Sequence, residues 1–461
     1  MSEQTEQTFS IWRALRLSSF QIGSAMGDIL VTSIWNRILI TSFGIPAAPV
    51  SFLIALRYLL SPLSLWAGFM SDTKPLWGMR RTSYIWLGRG LMVLSLPLLG
   101  LSVGRLAGST TDVLGWSFAV ASSLLYGIGT LISGSPFLAL VRDSAPKERQ
   151  GLAISMAETM LIIFFAIVGI SFSIWMREYD PMVFWEMIVG TAVIGGFFWL
   201  FAIWGAEKRA NAMAASSPAT TQAALGRRSL QTAGFWSTFG KIWQDPRTRG
   251  FFVFLSLATL SAWAQDAILE PFGGEVFGLP FERTTRLNSY WQAATVVTLL
   301  VGSFLWRKRP PERQSPVTQG GLLAMVAGMV LLGMASLFNQ VHLLELSLLV
   351  FGGGFGIYTF GGLSLMAVMS SDKEAGAYLG LWTISILLFK GLGTFLGGAL
   401  RDLLLLGLGL PATTTYGVIF VVEAVGLLTA VIILSRLDIL SFAHDMGRGI
   451  SRAEVQVLTA D

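Results

Sequence analysis

The feature that most restricts this chain is an alternation. Apolar stretches about twenty residues long are separated by short polar segments along nearly its whole length. A helix needs roughly 20 mostly apolar residues to cross a bilayer. Twelve runs fit, at roughly 17–40, 46–70, 83–104, 113–141, 151–176, 182–205, 249–270, 283–306, 319–338, 342–370, 375–399 and 411–436. Charged residues make up only 13% of the chain, against about 25% in soluble globular chains. The expected fold is an all-α polytopic membrane protein with twelve transmembrane helices. The polar N-terminal segment "MSEQTEQTFSIWRALRLSS" lacks the apolar core and cleavage site of a secretory signal, so run 1 is expected to be retained.

A polar insert divides the runs six and six. The reading is a six-helix bundle over 1–205, a cytoplasmic linker over 206–248, a second bundle over 249–436 and a cytoplasmic tail over 437–461. Within the linker, "ANAMAASSPATTQAALGRRS" is small, polar and flexible in character. Phe235, Phe239 and Trp243 follow at four-residue spacing, which predicts a short helix lying on the membrane surface over 235–249. Of the 32 Lys and Arg, Arg105, Arg177, Arg283, Arg286 and Arg401 fall in odd-numbered loops and four lie within helices, leaving 23 for the termini and even-numbered loops. The positive-inside rule then places both termini in the cytoplasm. The net charge of +5 records this orientation and carries no implication of nucleic-acid binding.

The chain has no Cys and only two His, His342 and His444. That excludes disulfides and thiolate chemistry, and argues against a nucleophilic triad, a His-rich metal centre and an enzymatic role.

The two halves echo each other. "SFGIPAAPVSFL" (42–53) returns as "VFGLPFERTTRL" (276–287) at a shift of 234, which sets Gly68 on Gly302 and Asp72 on Trp306. "LVRDSAPKERQG" (140–151) aligns with "LMAVMSSDKEAG" (365–376) at a shift of 225, which also relates Gly129 to Gly354. Two parallel six-helix halves are the repeat plan of the major facilitator superfamily.

Two loops concentrate charge. "GFMSDTKPLWGMRR" carries Gly68, Asp72, Gly78, Arg80 and Arg81 between runs 2 and 3; the loop between runs 4 and 5 carries Arg142, Asp143 and Arg149. One reading is purely topogenic. The other is a hinge clamp, with Asp72 near positive helix N-termini and the arginines pairing with it.

Ionisable groups at membrane depth are costly and face a partner or a cavity. They are Asp28, Arg37, Arg57, Arg89 and Glu158 in the first half, and Asp266, Lys390 and Glu423 in the second. Counting depth along each run predicts two buried ion pairs, Asp28 with Arg57 and Lys390 with Glu423. The glycines of "FGGGFGIYTFGG" and "GLGTFLGG" read as close helix contacts, with a flat groove for a planar ligand as the alternative. The 16 Trp and 31 Phe read mainly as interfacial belts and lipid-facing packing.

"FQIGSAMGDILVTSIWNRILITSFGIPA" followed by "GFMSDTKPLWGMRRTSYIWLG" resembles the bacteriochlorophyll delivery family, the PucC and LhaA group of the major facilitator superfamily. The resembling elements are Asn36-Arg37, Gly44-Ile45-Pro46-Ala47, Ser71-Asp72-Thr73, Gly78 with Arg80-Arg81, Tyr84-Ile85-Trp86 and "RDSAPKERQG". Ser83 and Met79 depart from that pattern, where Pro and Trp are usual. The resemblance implies a light-harvesting assembly factor of an inner or intracytoplasmic photosynthetic membrane. It would deliver bacteriochlorophyll or chlorophyll, or chaperone antenna polypeptides as they receive it. It also implies contact with the reaction-centre complex, chlorophyll synthase, carotenoid and membrane lipids. The pigment magnesium would be the only metal, ligated by Asn36, Gln265, Asn288, Gln292, His342 or a water. The competing readings are a proton-coupled transporter of a small solute and a structural pigment-binding subunit of the antenna or reaction-centre complex.

Overall fold

The computed structural model describes residues 10–146, 149–207, 240, 243–306, 310, 313–370 and 375–445. Regular structure among them is helical, apart from one isolated bridge between Leu76 and Met79. A bilayer demands this, because a helix satisfies its backbone N–H and C=O groups within its own segment. A short helix α1 (Ile11–Ser18) leads into α2 (Phe20–Ile29), which continues through π turns at Leu30–Trp35 and Ile38–Ser42. There follow α3 (Ala47–Leu59), α4 (Pro62–Thr73), α5 (Thr82–Gly108), α6 (Val113–Asp143), α7 (Gln150–Trp175), α8 (Pro181–Gly190) and α9 (Gly196–Ile203). Beyond the insert come α10 (Pro246–Trp263), a 3-10 turn at Ala264–Ala267, α11 (Leu269–Phe277) and α12 (Phe281–Leu305). The series closes with α13 (Ser315–Phe338), α14 (Val341–Val368), α15 (Ala375–Asp402), α16 (Ala412–Ser435) and a short α17 (Ile439–Asp445).

All twelve apolar runs fall on helix. Among the described residues, nine helices are long and apolar enough to cross a membrane, or ten if α10 and α11 form one span. The other two runs are α2, interrupted by its π turns, and α12, which opens with Glu282, Arg283 and Arg286. Of the surface helix expected over 235–249 only residues 240 and 243–249 are described, and from Pro246 onward they already belong to α10; most of the linker and the tail beyond Asp445 lie outside the described residues.

The chain divides into two compact units. One takes the described residues of 1–220 together with Ala267–Ser289; the other takes those of 221–266 and 290–461. Each unit repeats the same helix partnerships. In the first, α5 packs most extensively on α6, and α2 packs on α7 and α9; in the second, α13 packs on α14, and α10 on α15 and α16. Runs 3 and 4 therefore correspond to runs 9 and 10, as the sequence repeat requires. A close glycine crossing repeats too. A Cβ at Gly88 would stand 2.4 Å from the Gly129 carbonyl oxygen, and one at Gly354 would stand 2.6 Å from that of Gly321. Lipid tails are as apolar as Leu, so helix association in a membrane rests on such close backbone approach. The same holds in "FGGGFG", where a Cβ on Gly352 would reach the Trp291 carbonyl oxygen at 2.0 Å. These glycines serve packing.

Candidate functional site

The first unit holds a half-buried charged cluster on its apolar runs. Arg57 on α3 donates from Nη1 to Asp28 Oδ1 on α2 at 2.6 Å, so the pair expected from depth is formed. Tyr126 on α6 donates to the same oxygen at 2.8 Å. Arg57 also bonds the Tyr58 hydroxyl, with its guanidinium 4.5 Å from that ring's centre. Two glycines permit the assembly: a Cβ at Gly27 would lie 2.7 Å from the Tyr126 hydroxyl, and one at Gly127 would lie 3.0 Å from Arg57 Cβ.

Arg89 on α5 is 7% exposed and is held without a carboxylate of its own. Its guanidinium lies 4.3 Å from the Phe20 ring centre and 4.8 Å from that of Trp199, and Nη1 reaches Met92 Sδ at 3.2 Å. Its Nε finds no partner. The cluster thus sets two guanidiniums against one carboxylate, a net positive charge with aromatic faces around it. Aromatic quadrupoles offset a buried cation in part. Such a site can hold an anionic or electron-rich polar group; it offers no nucleophile.

A second cluster forms where the π turns of α2 re-aim its side chains. Asn36 Nδ2 donates to the Ala267 carbonyl at 2.7 Å. Arg37 Nη2 donates to Leu279 O at 3.3 Å, with the guanidinium 4.8 Å from the Phe281 ring centre. Asn288 Nδ2 donates to Glu270 Oε1 at 2.9 Å and to Ser33 Oγ at 3.4 Å. Glu270, 1% exposed, was not among the sequence-derived candidates. π turns gather at functional positions because they rotate the residues that follow. Asn36 Oδ1, Arg37 Nε and Nη1, and Thr41 Oγ1 are buried without partners. Asn36 and Asn288 are 1% and 8% exposed. Gln265, equally buried, belongs to the other unit with Gln292 and His342, of which Gln292 is half-buried and His342 exposed.

The expected Lys390–Glu423 pair is not formed. Lys390 Nζ on α15 lies 3.3 Å from the centre of the Trp263 ring. Glu423 on α16 is 3% exposed, and neither carboxyl oxygen has a partner. Equal depth does not imply facing orientation, and α16 packs on α10 and α13 more than on α15. Glu158 is half-buried on α7, with no ion pair among the described residues; Asp266 sits in the 3-10 turn after α10.

The charged loop after run 2 folds into a tight hairpin. Leu76 and Met79 exchange backbone bonds at 2.9 and 3.0 Å around Trp77 (φ 52°) and Gly78 (φ 75°). A turn with two left-handed residues favours Gly at its second position and disfavours a bulky residue at its first. Trp77 is nevertheless there, 66% exposed. Next to it, the N–H groups of Arg80, Arg81 and Thr82 donate to the Glu207 carboxylate at 2.9, 3.0 and 2.9 Å. Glu207 therefore takes the anion's place at the N-terminus of α5 that the sequence reading assigned to Asp72, whose side chain lies outside the described set. Arg81 pairs with Asp143 and bonds the Ala139 carbonyl, so the two charged loops are joined. Arg142 bonds its neighbour Asp143 at 3.1 Å. Gly68 lies beside Ser135, where an added Cβ would meet Ser135 Cβ at 3.4 Å. In the second unit, Arg247 Nη1 bonds Asp445 at 2.8 Å and Nη2 bonds Asp245 at 3.0 Å, fastening α17 to the start of α10. The bond from Arg247 holds the Asp445 carboxyl below the usual carboxylate range.

The model of the PUCC protein family matches residues 34–442, spanning α2 through α17. The chain belongs to the PUCC protein family. "Protein PucC" of Rhodovulum sulfidophilum is 28% identical over 413 residues, covering 87% of each chain. The "Bacteriochlorophyll synthase 44.5 kDa chain" of Rhodobacter capsulatus is 26% identical, covering 89% of this chain and 91% of that one. Among solved structures, a POT family transporter in complex with a thioalcohol-conjugated peptide matches with a TM-score of 0.66 at 13% identity, over 95% of this chain and 96% of that one. At that identity the likeness is one of fold alone, and it agrees with the major-facilitator plan expected for the chain. The motif residues Asn36-Arg37, Gly78 and Arg80-Arg81 lie inside the matched region.

Proposed function

We propose that this PUCC family chain is an assembly factor of the photosynthetic inner or intracytoplasmic membrane. It delivers bacteriochlorophyll or chlorophyll to light-harvesting antenna polypeptides, or holds those polypeptides while they receive it. Family membership over nearly the whole chain carries this reading, supported by a relative named for bacteriochlorophyll synthase. The role is one of binding and hand-over, with pigment as cargo and without covalent chemistry. Gln292 and His342 are more accessible as magnesium ligands than Asn36, Gln265 or Asn288. The Arg81–Asp143 clamp, the Glu207 cap and the exposed Trp77 make the paired loops the candidate docking face for antenna polypeptides.

Purification in mild detergent followed by an absorption spectrum tests the proposal. Bacteriochlorophyll bands with co-purifying antenna polypeptides are expected. A colourless preparation without an antenna partner, together with proton-coupled uptake in vesicles, overturns it. That outcome would favour the transporter reading, for which the buried and unpartnered Glu423 speaks. In cells, Arg80→Ala with Arg81→Ala should lower antenna levels while membrane insertion continues.

A further inference from the structure

Beside α1 and α9 the first unit carries a groove of about 390 Å³, lined by Arg16, Phe197, Leu200, Phe201 and Trp204. The rings of Phe197 and Phe201 stack at 5.8 Å, and the Arg16 guanidinium lies 5.9 Å from the Phe201 centre. Helix α1 brings the charge. It begins at Ser10, whose Oγ accepts from Arg13 N at 3.3 Å, and turns Ile11, Trp12 and Leu15 outward. That is the pattern of a helix lying in a membrane interface. Arg16 donates from Nε to Ala202 O at 3.4 Å and from Nη2 to Trp204 O, and Arg13 Nη2 donates to Ala206 O at 3.2 Å. These carbonyls belong to the last turn of α9 and the residues after it, where helical partners run out.

The contacts fix the Arg16 guanidinium in the groove wall and that of Arg13, one turn earlier on α1, against Ala206 O, without consuming either. A guanidinium has five N–H donors; Arg16 spends two groups and Arg13 one. Among the described residues, neither arginine has a carboxylate within ion-pair distance. The lining thus carries one cation, Arg16, with Arg13 one helical turn away, and is otherwise apolar and aromatic.

We propose that this groove is a binding site for one anionic phospholipid. Its phosphate rests on Arg13 and Arg16, and one acyl chain follows Phe197, Leu200, Phe201 and Trp204. A zwitterionic lipid would bring its own ammonium against two guanidiniums, so charge complementarity selects an anionic headgroup. The Lys and Arg distribution assigns this end to the cytoplasmic leaflet, where anionic lipids attract basic groups. The site is independent of the pigment reading and would serve to fix α1 against α9.

The test uses the full-length protein in mild detergent, titrated with dioleoylphosphatidylglycerol or dioleoylphosphatidylcholine and read by native mass spectrometry. The phosphatidylglycerol adduct is expected at least tenfold tighter. Arg13→Gln with Arg16→Gln should weaken it by roughly fivefold per cation removed. Arg13→Lys with Arg16→Lys should retain the preference, as should Arg247→Gln, which removes a cation elsewhere. Phe197→Ser, on an exposed ring that caps no helix, should weaken phosphatidylglycerol by at least threefold and covers the case in which the glutamine variant fails to fold. Equal binding of the two lipids, an unchanged preference in the glutamine variant, or no effect of Phe197→Ser overturns the proposal; so does capture of a polypeptide at the groove with no lipid retained.

Discussion

Removing the carboxylate at Asp28 should damage this protein more than removing its cationic partner, and the asymmetry can be worked from the geometry. Asp28 Oδ1 receives Arg57 at 2.6 Å and Tyr126 at 2.8 Å. Arg89 stands within electrostatic reach of the same carboxylate. Asp28→Asn therefore leaves two guanidiniums in the bundle without a counter-charge; breaking a fully buried pair from one side costs about 3–5 kcal/mol, and with Asp28 22% exposed the cost here should fall at the lower end of that range. Arg57→Met leaves Asp28 with the Tyr126 hydrogen bond and the field of Arg89, so its cost should be smaller, about 1–3 kcal/mol. The double variant removes both charges and should cost less than the sum of the single changes by about 2 kcal/mol. The assay is unfolding in mild detergent followed by tryptophan fluorescence, carried through the full cycle. Additivity within about 0.5 kcal/mol would show that the two side chains do not interact, and would refute the reasoning. Tyr126→Phe offers an internal check at about 1 kcal/mol.

Glu207→Ala should cost about 2 kcal/mol, because three N–H groups at the start of α5 lose a charged acceptor. Hydrogen exchange should rise by roughly 30-fold at Arg80–Thr82 while α13 is unchanged, and equal exchange in variant and parent would remove the cap. Glu423→Leu should be neutral or stabilising by up to about 2 kcal/mol, since both carboxyl oxygens lack partners. Lys390→Met should add to it independently; a coupling above about 0.5 kcal/mol would restore the pair that the geometry denies. The tether of α17 should fail in acid. Arg247 holds the Asp445 carboxyl below its unfolded value, so its contribution is present above about pH 4 and is lost as pH falls through the lower folded value. Proteolysis beyond Ser435 should be flat from pH 7 to 5 and rise below about pH 4, whereas Arg247→Gln should be cleaved readily throughout.

The helical runs and the repeat of two six-helix halves are legible in the sequence because they follow from local apolar length and from glycines that recur in order, such as Gly129 and Gly354. Depth alone pairs Asp28 with Arg57 correctly because both side chains turn toward the same stretch of α6, Asp28 at Tyr126 and Arg57 at Gly127. The same count misled at Lys390 and Glu423, because depth carries no information on the rotation of a helix about its axis. Glu207 gave no signal at all. Its meaning depends on lying against an N-terminus 125 residues earlier in the chain.

What this sequence by itself determined is its solvent, its helical class, the repeat of its halves and the family whose motif it carries. Those properties are set by composition and local spacing, which lipid and water read directly. Only the tertiary structure decided which charges meet, that Arg89 sits between two aromatic rings, that residues 267–289 join the first unit and that two charged loops are tied through Arg81 and Asp143. Such pairings depend on helix rotation, π turns and close glycine crossings, which act over distances that no stretch of sequence spans.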